Sequence, residues 1–151
     1  MTTTAPVNET QTFTVAEEIL VQASLDATFA SLLAEMGRRN QTPDGKPLPM
    51  VLEPYPGGRW YRELGGDNGH LWGFVQSIKR PVLLEIWGPL FMSTAATSNL
   101  LYRLTETPEG TLITFTHTVV GPFPDDHKGP LTTGWSALHA RVRKAAEAAA
   151  H

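Results

Sequence analysis

The chain has 151 residues, a net charge of -3 and 41% apolar side chains, the composition of one globular domain with a real hydrophobic core. Its lysines and arginines are scattered rather than gathered into a stripe, which argues against nucleic acid or an anionic membrane as partner. With no cysteine, disulfides, thiolate nucleophiles and cysteine-held zinc or iron–sulfur centres are excluded.

Residues 1–10 are small and polar and predict a frayed tail ahead of a single domain over 11–151. They lack the basic start and apolar core of a secretory signal. No apolar run approaches the roughly 20 residues of a membrane helix, so the expected location is the cytoplasm. From Thr12 to Ala23, β-branched and apolar residues dominate, and Phe13, Val15, Ile19 and Val21 share one parity, which predicts a first strand. Ser24 or Asp26 then caps a short amphipathic helix carrying Phe29, Leu32, Leu33 and Met36, with Gly37 placed to end it. Arg38 to Pro49 holds three prolines and an Asp44-Gly45 pair, which rules out a regular element; it reads as an ordered surface loop or as a lid.

Short strands follow at Met50–Glu53, Gly58–Leu64, His70–Ile78, Val82–Gly88, Ser98–Thr105 and Thr111–Val120, all compatible with an antiparallel meander. Asn68-Gly69 is expected to supply the positive φ angles of one hairpin turn. Gly88 to Thr97 is irregular and apolar, a bulged edge or a mouth loop. The last segment places Leu131, Trp135, Leu138, Val142, Ala145 and Ala149 at spacings of three and four, a helix with one apolar stripe. Gly134 beside Trp135 would let that helix approach the sheet.

This order, together with Pro56-Gly-Gly-Arg-Trp60, Gly73-Phe-Val75, Lys79-Arg-Pro81, Val82-Leu-Leu-Glu-Ile-Trp87, Gly110-Thr-Leu-Ile-Thr-Phe-Thr-His117 and Gly134-Trp135, resembles the START-like superfamily (SRPBCC, helix-grip fold). Within it the chain is similar to the family of the C-terminal domain of the activator of the ninety-kilodalton heat-shock protein's ATPase. The resemblance implies an α+β fold, a curved antiparallel sheet of about seven strands wrapped around a long C-terminal helix, with a cavity between them. It implies no single activity, because the superfamily spans lipid carriers, hormone receptors and cyclases. The Pro-rich loop stands where relatives often carry a Trp-centred motif, and the N-terminal domain of the eukaryotic activators has no counterpart. Chaperone activation is therefore not carried over.

Strand parity, together with an aromatic set of Trp60, Trp72, Trp87, Tyr102, Phe115 and Trp135 that would line a pocket or simply fill the core, gives the candidate pocket residues Trp60, Arg62, Glu85, Trp87, Tyr102, Phe115, His117 and Trp135. Arg62 shares a face with Trp60 and would either fork onto a ligand carboxylate or pair with Glu85. Glu85 in an apolar pocket would act as a general acid or base, but Leu84 and Ile86 are also apolar and leave the inward parity of Val82–Trp87 open. His117 shares its face with Ile113, Phe115 and Val119, and would orient a ligand, move a proton or simply be hydrogen-bonded. His70, His127, His139 and His151 share no metal-binding spacing, and neither a nucleophile elbow nor a phosphate loop is present, so no catalytic residue, metal or cofactor is assigned. The function expected is binding of a small apolar or amphipathic molecule. Two alternatives are a cofactor-free cyclase or hydrolase using Arg62, Glu85 and His117, and an interaction module that docks on a chaperone or on a second copy of itself through Gly88–Met92.

Overall fold

The computed structural model describes residues 11–150; the expectations for residues 1–10 and for His151 lie outside them. Seven strands form one antiparallel sheet: β1 (Gln11–Val21), β2 (Val51–Leu52), β3 (Arg59–Gly65), β4 (Asn68–Lys79), β5 (Leu83–Gly88), β6 (Thr97–Thr107) and β7 (Gly110–Gly121). Their spatial order is β1-β7-β6-β5-β4-β3-β2, so β2 to β7 run as a meander and β1 closes on the last strand. Helix α1 (Leu25–Met36) follows the first strand, and helix α2 (Lys128–Ala149) ends the described chain after a single 3-10 turn at Asp125–His127. This is the expected helix-grip arrangement. No helix among the described residues is long and apolar enough to cross a membrane.

Local chemistry sets the element ends. The Ser24 hydroxyl accepts the Ala27 N–H at 3.1 Å and so caps α1, while the Gly37 N–H reaches Leu33 O and Ala34 O at 3.0 and 3.2 Å. The β3–β4 turn differs from expectation. Gly66 and Asp67 carry the two central positive φ angles, both 60°, while Asn68 sits in the ladder opposite Gly65. Asn68 is drawn there by its own amide, which bonds Gly65 O and Gly66 O at 3.1 Å each. The β6–β7 connection is also tighter than expected, because Thr107 pairs with Gly110 across two residues.

One face of the sheet is the core. Leu84, Ile86, Leu100, Tyr102, Leu104, Ile113, Phe115, His117 and Val119 are all buried there. Helix α2 adds Leu131, Trp135, Leu138, Val142 and Ala146, with roughly 1.5–3 kcal/mol of transfer free energy for each large side chain buried. The buried stripe ends on Ala146 rather than on the expected Ala145 and Ala149, and it is widened by His139.

Strand β4 is irregular twice. Trp60 pairs with Gly73 but Tyr61 with Leu71, which leaves Trp72 as an extra, bulged residue; the same happens at Gln76 opposite β5. Bulges bend a strand and re-aim a side chain, and here the first of them turns Trp72 toward Trp60, edge to face at 5.0 Å. Next to the bulge β4 and β5 come so close that a Cβ on Gly73 would lie 2.6 Å from Trp87 O. That oxygen belongs to the ladder and cannot step aside. Gly73→Ala is therefore expected to lower stability by about 2 kcal/mol or more in urea denaturation, and an unchanged midpoint would refute the close approach.

Candidate ligand cavity

Helix α2 is fastened to one half of the sheet only. Trp135 Nε1 donates to His117 Nδ1 on β7 at 2.9 Å, and His117 Nε2 meets Ser98 Oγ on β6 at 2.9 Å. One turn further on, His139 Nε2 meets the Tyr102 hydroxyl on β6 at 2.9 Å, and His139 Nδ1 meets Glu17 Oε1 on β1 at 2.8 Å. Ser136 Oγ donates to the other oxygen of Glu17 at 2.7 Å. These bonds reach β1, β6 and β7. Opposite β3 and β4 the helix leaves a gap.

The gap is a cavity of about 560 Å³. Trp60 and Trp72 form its sheet wall, and Leu131, Gly134, Trp135 and Leu138 its helix wall. The Pro-rich loop supplies a third wall with Asn40, Gln41, Thr42, Pro43 and Leu48, and the loop after β5 supplies Phe91 to Thr94. Rings line it in succession: Trp72 meets Phe91 at 5.4 Å and Phe91 meets Trp135 at 6.3 Å between centroids. Trp60 is fixed by its indole N–H, which donates to Met36 O at the end of α1 at 2.8 Å.

The Pro-rich loop is ordered by its backbone. Thr42 N donates to Lys46 O at 2.8 Å, Leu48 N to Asn40 O at 2.8 Å and Met50 N to Gly37 O at 3.0 Å. Gly134 faces this loop and not the sheet: a Cβ there would lie 3.9 Å from Pro43 Cγ.

Of the residues singled out from sequence, Trp60 and Trp135 border the cavity. Tyr102, Phe115 and His117 are on the same side of the sheet but fully buried under α2, away from the cavity. Glu85 and Trp87 lie on the opposite face. Leu84 and Ile86 take the inner parity, the Glu85 carboxylate accepts Ser77 Oγ at 3.0 Å and Asn99 Nδ2 at 2.9 Å, and Trp87 is 47% exposed against Phe74. A carboxylate finds polar partners on that outer face and would have been stripped of water on the inner one. Arg62 pairs across the hairpin with His70, forms no ion pair with Glu85 and does not border the cavity. The three groups named for proton transfer do not meet. Within Gly88–Met92, Leu90 and Met92 are buried and Phe91 is 42% exposed at the cavity's lip, so no contiguous apolar patch forms there.

Sequence reasoning missed Asn40, Gly134 and Arg141 at the cavity, and the Glu17–His139 pair. A signal existed for each helix residue: Pro130, Gly134 and Arg141 form a row one position before the buried stripe. Glu17 occupies the apolar parity of β1, a carboxylate that needed a partner. Among the described residues no group of three or more His, Asp or Glu side chains gathers where a metal ion could be held.

No protein-family model and no curated protein matches the chain. Solved structures do. A Staphylococcus aureus protein of unknown function aligns with a TM-score of 0.68 at 12% identity, over 93% of this chain and 97% of the other. A Chromobacterium violaceum protein aligns at 0.70 and 12%, over 89% and 96%. Ara h 8.0201 aligns at 0.66 and 12%, over 91% and 99%. Likeness at such identities is a likeness of fold.

Geometry sets the protonation of His117. Trp135 is a donor only, so His117 Nδ1 must accept and the proton sits on Nε2, toward Ser98. Burial pushes the His117 pKa down to about 4, and it lowers that of His139 too, against the opposing pull of Glu17. Burial keeps Tyr102 protonated, and with His139 neutral and its Nδ1–H turned to Glu17, the Tyr102 hydroxyl donates to His139 Nε2. The unfolded chain takes up these protons near pH 6.5 and the folded one only near 4 for His117. Stability is therefore full above pH 6.5 and declines as pH falls toward 4, by about 3 kcal/mol for His117 across the window. Urea denaturation from pH 7 to 4.5 should show this slope. His117→Gln, which keeps an acceptor for Trp135 and a donor for Ser98, should flatten it; an equal slope in the variant would exclude His117 as its source.

Proposed function

We propose that the chain is a binding protein for a small apolar or amphipathic molecule, held in the cavity between α2, the Trp60–Trp72 wall and the Pro-rich loop. The observation that carries this reading is an aromatic-lined cleft of about 560 Å³ between helix, sheet and two loops. That volume is in the ordinary range for small-molecule sites, which are mostly apolar with a few placed polar groups. A close-packed interior does not leave such a space by default. The fold likeness supports the same reading, since START-like proteins include lipid carriers, though the analogy alone assigns nothing.

The placement of the polar groups favours binding over proton-transfer chemistry. His117 and His139 spend both ring nitrogens on protein partners, and Glu85 is on the far face of the sheet. The lining contributes a polar end at Asn40, Gln41 and Arg141 and a long apolar stretch. Pro130 to Arg141 is eleven helical steps, so the cavity follows α2 for about 16 Å.

Titration with Nile red, a neutral dye that brightens in apolar surroundings, is expected to show saturable binding at one site. Gly134→Leu should weaken it by about tenfold or more, since the new side chain projects toward Pro43 across the cavity. The same change removes a mid-helix glycine, so thermal stability should hold or rise. Failure of a panel of apolar dyes and lipids to bind the unaltered protein would overturn the reading.

A further inference from the structure

The polar end of the cavity specifies a head group. Arg141 is the one charged side chain, among Asp, Glu, Lys and Arg, that lines the cavity, and it is largely buried, with 18% of its side chain exposed. Its charge is already met: Glu35 on α1, 7% exposed, places Oε1 3.4 Å from Arg141 Nε. One terminal nitrogen, Nη2, donates to Asn40 Oδ1 at 3.1 Å and lies 3.4 Å from Gln41 O. The other terminal nitrogen makes no hydrogen bond among the described residues. Asn40 has a matching imbalance. Its Oδ1 is taken by the Gln41 N–H at 2.9 Å and by Arg141, while its amide nitrogen has no partner. This end of the cavity therefore offers unused N–H donors from Arg141 and Asn40.

We infer that the cavity selects a molecule whose apolar body ends in a neutral oxygen acceptor, a ketone, aldehyde, ester or amide carbonyl, held by Arg141 and Asn40. The inference rests on the ligand-binding reading above. Two physical points separate this head group from the alternatives. A hydrocarbon would bury the N–H groups of Arg141 and Asn40 without acceptors. A carboxylate would bring a second negative charge beside Glu35, to a guanidinium whose charge Glu35 already meets. A carbonyl oxygen takes two hydrogen bonds and adds no charge.

Three probes of one shape isolate the head group: naphthalene bearing, at the same ring carbon, an acetyl, a carboxylate or an ethyl group. Each is tested for displacement of Nile red from the unaltered protein and from Glu35→Gln. With the unaltered protein the ketone should displace the dye at concentrations at least about tenfold lower than either of the others. In Glu35→Gln, which keeps the shape and removes the negative charge, the carboxylate should gain about tenfold while the ketone stays within about threefold. A purely structural role for Glu35 would not move this ratio. Equal displacement by all three probes, or naphthoate binding as well as the ketone, would overturn the inference and leave the cavity reading standing. Failure of all three to displace bound Nile red would overturn the inference alone, whereas failure of Nile red and of the wider panel of apolar dyes and lipids to bind would remove both.

Discussion

The architecture depends on an asymmetric attachment. Helix α2 is held to β1, β6 and β7 by hydrogen bonds through Trp135, Ser136 and His139, buried at His117 and Tyr102 and nearer the surface at Glu17, and among the described residues it has no such bond to β3, β4 or β5. Buried hydrogen bonds fix distance and angle in a way that apolar contact does not, because a displaced donor or acceptor is left without water. The helix therefore cannot slide across the sheet to close over Trp60 and Trp72. What remains on that side is space, and the two flanking loops wall it in.

The same bonds explain why the core is rich in titratable groups yet poor in reactive ones. Tyr102, His139 and Glu17 form a continuous chain in which each proton has one place: the phenol donates to Nε2, and Nδ1–H donates to the carboxylate. His117 is set the same way between Trp135 and Ser98. Such an arrangement resembles catalytic hardware in composition, but its lone pairs and protons are consumed internally. The groups with unused capacity, Arg141 and Asn40, lie at the cavity instead. Polar side chains have thus been divided between holding the helix and lining the cavity.

Two backbone irregularities finish the site. The bulge at Trp72 puts an indole where a regular strand would have pointed it to the other face, and Gly73 permits the close approach of β5 beside it. The indole of Trp60 joins the sheet to the last turn of α1, from which Glu35 reaches Arg141. Sheet, first helix, Pro-rich loop and last helix therefore share one set of contacts around the cavity.

Much of this was legible in the chain itself. Alternating apolar residues in β1, β6 and β7, the Ser24 and Gly37 caps and the Leu131–Trp135–Leu138–Val142 stripe determine the element order and the helix-grip fold, because each is a short-range pattern with one dominant period. Trp60 and Trp135 were found for the same reason. The face of Glu85 and Trp87 was not, since apolar residues at both parities of β5 cancel the period on which such a reading relies. The β3–β4 turn was misplaced by two residues because Asn68 is equally at home in a turn and in the ladder that its amide reaches back from. The cavity's polar end joins Asn40 to Arg141, 101 positions apart, and the helix anchors join Glu17 to His139, 122 apart. No local pattern encodes such pairings. They arise only when the curl of the sheet sets which side chains share a space, and that is why the tertiary structure alone decided where the cavity lies and which side chains line it.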